Sequence, residues 1–328
     1  MMKYQYCGHS GIRLPMLSLG LWHNFGSVDP YDTARDMILR AFDAGICHFD
    51  LANNYGPEPG SAETNFGRIV REQLAGHRDE IFISTKAGHA MWPGVYGDGS
   101  SRKSLMASCD QSLKRMGLEY VDVFYSHRYD GITPIEETMQ ALVDIVRSGK
   151  ALYAGISKYP ADLQQRCYDY LRSHDVPCLL SQYPANMFKR ASIAPTPDSN
   201  LAVAARNGSG FICFSPLAQG LLTPKYQKGI PQHSRAARST GFLRLYQVTE
   251  ERIEAARQLM GIAEERRQTL PQMALAWLLN DARVTSVIIG TSSVEQLDDN
   301  LQALRNPAFC EEELRRIDRI LGKEGIAM

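Results

Sequence analysis

The chain has 328 residues, a length that suits one large α/β barrel or two ordinary domains. Its 36 Lys and Arg balance 36 Asp and Glu, so no basic field draws it to nucleic acid or an anionic membrane, and any ligand phosphate needs a local pocket. Seven scattered cysteines without a C-x-x-C pair argue against a zinc or disulfide framework and for free thiols in a reducing cytoplasm.

The first residues, MMKYQYCGHSGIRLPMLSLG, contain no continuous apolar run and do not read as a signal peptide. Residues 1–14 are expected to form a small hairpin outside the main sheet, with Gly8 or Gly11 in its turn. Short apolar runs follow at 16–19, 46–49, 81–84, 121–125, 152–156, 179–181, 211–214 and 287–289, which gives eight candidate strands. Between them, apolar residues recur at three- and four-residue spacing, as in Ala34, Met37, Ile38, Ala41 and Phe42. Leu105, Cys109, Leu113 and Met116 repeat the pattern, as do Met139, Leu142, Val143 and Val146. Strands alternating with such helices imply a parallel sheet, because each parallel crossover needs a covering helix. Long loops are expected at 88–101, after strand three, and at 218–248, after strand seven. A last amphipathic helix at 311–321 carries Leu314, Ile317 and Leu321 on one face. No stretch approaches the roughly 20 apolar residues of a membrane span.

Eight strand–helix units use nearly the whole chain, and no G-x-G-x-x-G follows a strand. Both points favour a (β/α)8 TIM barrel, an α/β fold in one domain over 1–328, above an open doubly wound sheet. Catalytic groups of such a barrel leave the C-terminal ends of the strands. There the sequence offers Asp50 and Tyr55 after strand two, Lys86 after strand three, and His127 and Arg128 after strand four. Asp50 and Lys86 could be a structural ion pair, and Tyr55 and His127 could be packing residues. Together they fit proton donation to a carbonyl oxygen as hydride reaches its carbon. Tyr55 would be the acid; its ordinary pKa of about 10 is too high, and a nearby Lys86 ammonium would lower it. Asp50 would anchor Lys86, and His127 would orient the carbonyl.

At these residues the sequence resembles the aldo-keto reductase superfamily. The matching motifs are GICHFDLANNYG, ISTKAG, VDVFYSH, GKALYAGIS, FSPLAQGLLTPKY and VIIGTSSVEQLDDN, in order over most of the chain. The narrower resemblance, carried by FDLANNYGPEPGSAE and SLKRMGLEYVD, is to enzymes like L-glyceraldehyde 3-phosphate reductase, relatives of potassium-channel β subunits. The resemblance implies a barrel that binds NADPH without a Rossmann domain and reduces glyceraldehyde 3-phosphate, methylglyoxal or similar small aldehydes. It maps the catalytic tetrad onto Asp50, Tyr55, Lys86 and His127. Trp22 and Asp50 would lie beside the nicotinamide ribose, Ser157 and Gln182 would hold the carboxamide, and Phe214 would stack on the ring. Ser215, Leu217, Gly220 and Lys225 would cover the pyrophosphate. Arg235 and Ser292 would contact the 2′-phosphate, and Gln296, Asp299 and Asn300 the adenosine. Residues 290–296 open a helix after strand eight, a setting that attracts phosphate, although Arg235 could be a plain loop arginine and Ser292 a plain cap.

Trp92 and Tyr96 are candidates for a substrate wall, and Arg128 for binding a substrate phosphate. Ala185 stands where relatives often carry a tyrosine, which would widen the pocket, and Lys158 has no assigned role. The other readings are an NADP(H)-sensing subunit like the channel β proteins and a lyase using Lys86 as a Schiff-base nucleophile. The first is disfavoured by His127, where the channel proteins have Asn; the second by Asp50, which would keep Lys86 charged. A cytoplasmic enzyme is expected, with homo-oligomer formation suggested by the oligomeric relatives.

Overall fold

A computed structural model of the chain describes residues 2–232, 236–237, 243–323 and 325–328. Strands β1 (Tyr4–Tyr6) and β2 (Arg13–Pro15) pair antiparallel as the expected hairpin. Gly8 lies in its turn at φ 54°, where a Cβ would sit 2.0 Å from the carbonyl oxygen of Gly208. Only glycine lets the turn approach the barrel floor this closely.

The barrel strands follow as β3 (Leu17–Gly20), β4 (His48–Asp50), β5 (Phe82–Ala87), β6 (Val121–Ser126), β7 (Ala151–Ser157), β8 (Cys178–Pro184), β9 (Gly210–Phe214) and β10 (Val284–Ile289). They close into a parallel barrel in the order β10-β3-β4-β5-β6-β7-β8-β9. Helices α1 (Tyr31–Asp43), α2 (Ser61–Gln73), α3 (Arg102–Met116), α4 (Ile135–Arg147), α5 (Ala161–Ser173) and α6 (Asn200–Arg206) form the crossovers up to β9. Helices α7 (Glu250–Glu265) and α8 (Leu270–Leu279) precede β10, and α9 (Val294–Leu301) and α10 (Glu311–Leu321) follow it. The apolar stripe of α1 buries Ala34, Met37, Ile38 and Ala41, as its spacing requires. On α10, Ile317 and Leu321 are buried and Leu314 is half-buried. No helix among the described residues is long and apolar enough to cross a membrane.

Several strands exceed their apolar runs. Strand β10 begins at Val284 and β8 reaches Pro184, because inward positions such as Ser286 and Gln182 are polar yet hydrogen-bonded inside the barrel. Side chains alternate across a strand. Phe49 therefore faces outward, onto Phe66 of α2 with ring centroids 5.4 Å apart, while His48 and Asp50 face inward. The same alternation sends Thr85 outward to Glu63 and leaves Ser84 and Lys86 inside.

Candidate active site

At the floor of the barrel Cys7 and Leu14 of the hairpin segment pack with Phe82, Val123, Leu180 and Ile212 in an apolar cluster. Above it, the interior turns polar. Ser286 donates to the carbonyl of Pro15 at 2.6 Å and lies 2.6 Å from the Ser18 hydroxyl. Nδ1 of His48 is 2.8 Å from Ser18 and Nε2 is 2.9 Å from Ser84, which donates to Oδ1 of Asp50 at 2.7 Å. With Ser286 and Ser84 committed at the two ends, filling every link needs a proton on both ring nitrogens. Burial pulls His48 down to about 4, so at neutral pH one link lacks its proton.

Asp50 ends this chain and anchors the mouth. Its Oδ2 accepts from Lys86 Nζ at 2.6 Å, and its Oδ1 also accepts from Gln182 Nε2 at 2.9 Å. Lys86, with no exposed surface, also donates to the carbonyl of Leu51 at 2.6 Å. Its ammonium lies 5.1 Å from the centre of the Tyr55 ring and 5.6 Å from that of Tyr125. Behind it, buried Glu63 accepts from Thr85 at 2.6 Å and from Arg115 at 2.7 Å, bracing α2 and α3 against β5. The His127 ring stands edge-on to Tyr55 at 6.0 Å, and Trp22 stacks on Tyr55 at 6.0 Å. The structure thus brings Asp50, Tyr55, Lys86 and His127 together.

The electrostatics revise one expectation. Burial pushes the Tyr55 phenol well above its ordinary value, and Asp50 adds to the rise. The expected lowering by Lys86 is not among the causes acting on Tyr55, and the Lys86 ammonium donates to Asp50 and the Leu51 carbonyl. Lys86 itself is pulled down by burial, with Asp50 opposing. His127 is held well below its ordinary value by burial and by Lys158, Lys86, His89 and Arg128, so its ring is neutral. Its Nδ1 is buried without a partner among the described residues.

From this centre a cleft of about 390 Å³ runs between the β3, β9 and β10 ends of the barrel. Its lining contains Trp22, Asp50, Tyr55, Phe214, Ser215, Leu217, Gly220, Lys225, Ser292, Gln296, Asp299 and Asn300. Ser157 and Gln182 are buried beside it in β7 and β8, and Arg235 lies outside the described residues. The donor set fits a dinucleotide. Among the described residues Ser157 Oγ and Asn300 Nδ2 are buried without partners, as an amide and an adenosine would require of their sites. Ser293, not Ser292, caps α9; Ser292 instead donates to Gln296 Oε1 at 2.9 Å through both its N–H and its hydroxyl. Asp299 accepts from Gln272 at 2.6 Å.

Sequence reasoning missed His23, Asn24, Gln219 and Thr223, which also line the cleft, and His89, whose ring meets His127 at 4.4 Å. One signal is conformational. Of seven non-glycine residues with positive φ among those described, Asn24, Lys158, Ser215, Ala218 and Gln219 surround the mouth. Such strain persists where surrounding structure imposes it, commonly at functional sites.

Three expectations fare differently. Arg128 donates to Gly88 O at 2.8 Å and to Asp98 at 2.8 Å, bracing the 88–101 loop. Trp92 and Tyr96 are exposed on that loop. Ala185 is fully buried and gives its N–H to Phe214 O at 3.2 Å.

Comparison with known proteins agrees with this geometry. Residues 16–322 match the model of the aldo/keto reductase family. The chain belongs to the aldo/keto reductase family. It is 55% identical over 321 residues to the L-glyceraldehyde 3-phosphate reductase of Escherichia coli strain K12, covering 97% of this chain and 92% of that one. The counterpart from Escherichia coli O157:H7 is 54% identical over the same shares. The chain is therefore an oxidoreductase of a family that generally uses NAD(P)H for carbonyl reduction.

Proposed function

We propose that this aldo/keto reductase reduces small aldehydes, glyceraldehyde 3-phosphate foremost and methylglyoxal among others, to alcohols with NADPH in the cytoplasm. The observation that carries the reading is one cleft that reaches Asp50 and Tyr55, with the His127 ring edge-on to Tyr55, and is lined by groups suited to a dinucleotide. The cofactor, when bound, supplies hydride to the carbonyl carbon. Trp22, Ser157, Gln182 and Phe214 would hold its nicotinamide end. Ser215, Leu217, Gly220 and Lys225 would hold the pyrophosphate, and Ser292, Gln296, Asp299 and Asn300 the adenosine. Arg235 would select NADPH through the 2′-phosphate.

The remaining chemistry belongs to the chain's own side chains. Burial keeps the Tyr55 phenol protonated, so it releases its proton only to a strong base such as the alkoxide forming beside it. A neutral His127 donates a hydrogen bond that orients the carbonyl oxygen without competing for that proton. Lys86 steadies the developing charge, and Asp50 keeps its ammonium in place. That same pairing disfavours a Schiff-base lyase, which needs a free amine.

The test is turnover of glyceraldehyde 3-phosphate, glyceraldehyde, methylglyoxal and an aromatic aldehyde, each with NADPH and with NADH. Reduction of the small aldehydes, faster with NADPH, is expected. Binding of NADPH without turnover of any aldehyde would favour the nucleotide-sensing reading instead.

A further inference from the structure

Lys158 carries a charge that the chemistry above does not use. It follows Ser157 at the upper end of β7 with φ 58°, a left-handed backbone that a β-carbon disfavours. Its Nζ lies 2.7 Å from Nε2 of His89. An ammonium has no lone pair, so His89 is the acceptor and bears its proton on Nδ1. The His89 ring meets His127 edge-on at 4.4 Å, so the Lys158 ammonium lies one ring beyond the imidazole that faces Tyr55.

Among the described residues, no carboxylate pairs with Lys158. The charges that bear on it, those of Lys86, Arg128 and Lys189, are all positive. Lys86 and Arg128 have counterions in Asp50 and Asp98; Lys158 has a neutral imidazole. Burial and these cations pull it down to about 8, which still leaves it mostly charged at neutral pH. A half-buried ammonium kept in a disfavoured backbone, with cations around it, suits an external anion.

We infer that Lys158, steadied by His89, receives the anionic tail of the aldehyde, namely the phosphate of a short phosphorylated aldehyde such as a triose phosphate. This rests on the reading of the cleft as an aldehyde-reducing site. In a triose phosphate, two carbons and an ester oxygen separate the carbonyl carbon from phosphorus. A carbonyl held at Tyr55 and His127 therefore leaves the phosphate free to reach a cation just past His127. Lys158 takes the role that Arg128 cannot fill while it is bound to Asp98.

The test compares wild type, Lys158→Gln and Lys158→Arg on glyceraldehyde 3-phosphate, glyceraldehyde and succinic semialdehyde at saturating NADPH. In Lys158→Gln the ratio of kcat/KM for glyceraldehyde 3-phosphate to that for glyceraldehyde should fall about ten- to hundredfold, chiefly through KM, as expected for a lost charge-assisted contact. Lys158→Arg should recover much of it. An unchanged ratio, or an equal loss on both, overturns the inference, and a loss confined to succinic semialdehyde overturns the choice of phosphate. A second reading needs no variant: inorganic phosphate should compete with glyceraldehyde in the wild type, and absence of competition counts against the site. Wild type inert toward every aldehyde would instead defeat the reading of the cleft, a distinguishable failure.

Discussion

The floor and the mouth of the barrel are built by the same eight strands and differ in what their inward side chains leave unsatisfied. At the floor, Leu14 and Cys7 close an apolar cluster with Val123, Leu180 and Ile212, all buried. At the mouth, among the described residues, Ser157 Oγ and His127 Nδ1 are buried without partners, and five non-glycine residues hold positive φ. Satisfied apolar packing stabilises; unsatisfied polar atoms cost stability and persist where a ligand can meet them. The His48 chain joins the two regions, running from Pro15 below to Asp50 above. One end of the barrel holds the fold, and the other is where the proposed chemistry would take place.

This division can be broken from either side. The largest effect should come from Tyr55→Phe, which removes the proposed acid and should lower kcat by about 10²–10⁴-fold while NADPH affinity stays within about twofold. Single-turnover rates and a fluorescence titration measure the two, and a normal rate would remove Tyr55 from its role. Leu14→Ala acts on the floor and should cost about 2–5 kcal/mol of stability with little change in kcat/KM. Urea unfolding beside steady-state kinetics checks it; a large kinetic loss with intact stability would mean that floor and mouth are coupled.

The smallest effect is a pH dependence that sharpens the link between them. Burial depresses His48 from 6.5 to about 4, so the unfolded chain takes up that proton first. Its contribution is intact above about 6.5 and declines as pH falls toward about 4, by roughly 2–3 kcal/mol. Unfolding free energies of wild type and His48→Gln at several pH values isolate this slope. Identical slopes would mean that the serine chain, by accepting both N–H groups of an imidazolium, offsets the cost of burial.

That Asp50, Tyr55, Lys86 and His127 would meet was legible because the strand ends at one rim of a barrel converge and the polar residues there are few. Asp50, Lys86 and His127 each sit at or just past the end of an apolar run. The sense of the Tyr55 shift was not legible, since it depends on how deeply the phenol is buried and where the Lys86 protons point. Nor was the role of Arg128, whose partner Asp98 comes from a loop with no periodic pattern.

The alternation of short apolar runs with amphipathic stretches by itself determined the closed parallel sheet, because each parallel strand demands a covering helix and eight units exhaust the chain. Only the tertiary structure decided which polar groups meet across it. Lys158 finds His89 from 69 positions away, and Gln182 reaches Asp50 from 132. Such contacts depend on strand register and loop path, which local propensity does not encode.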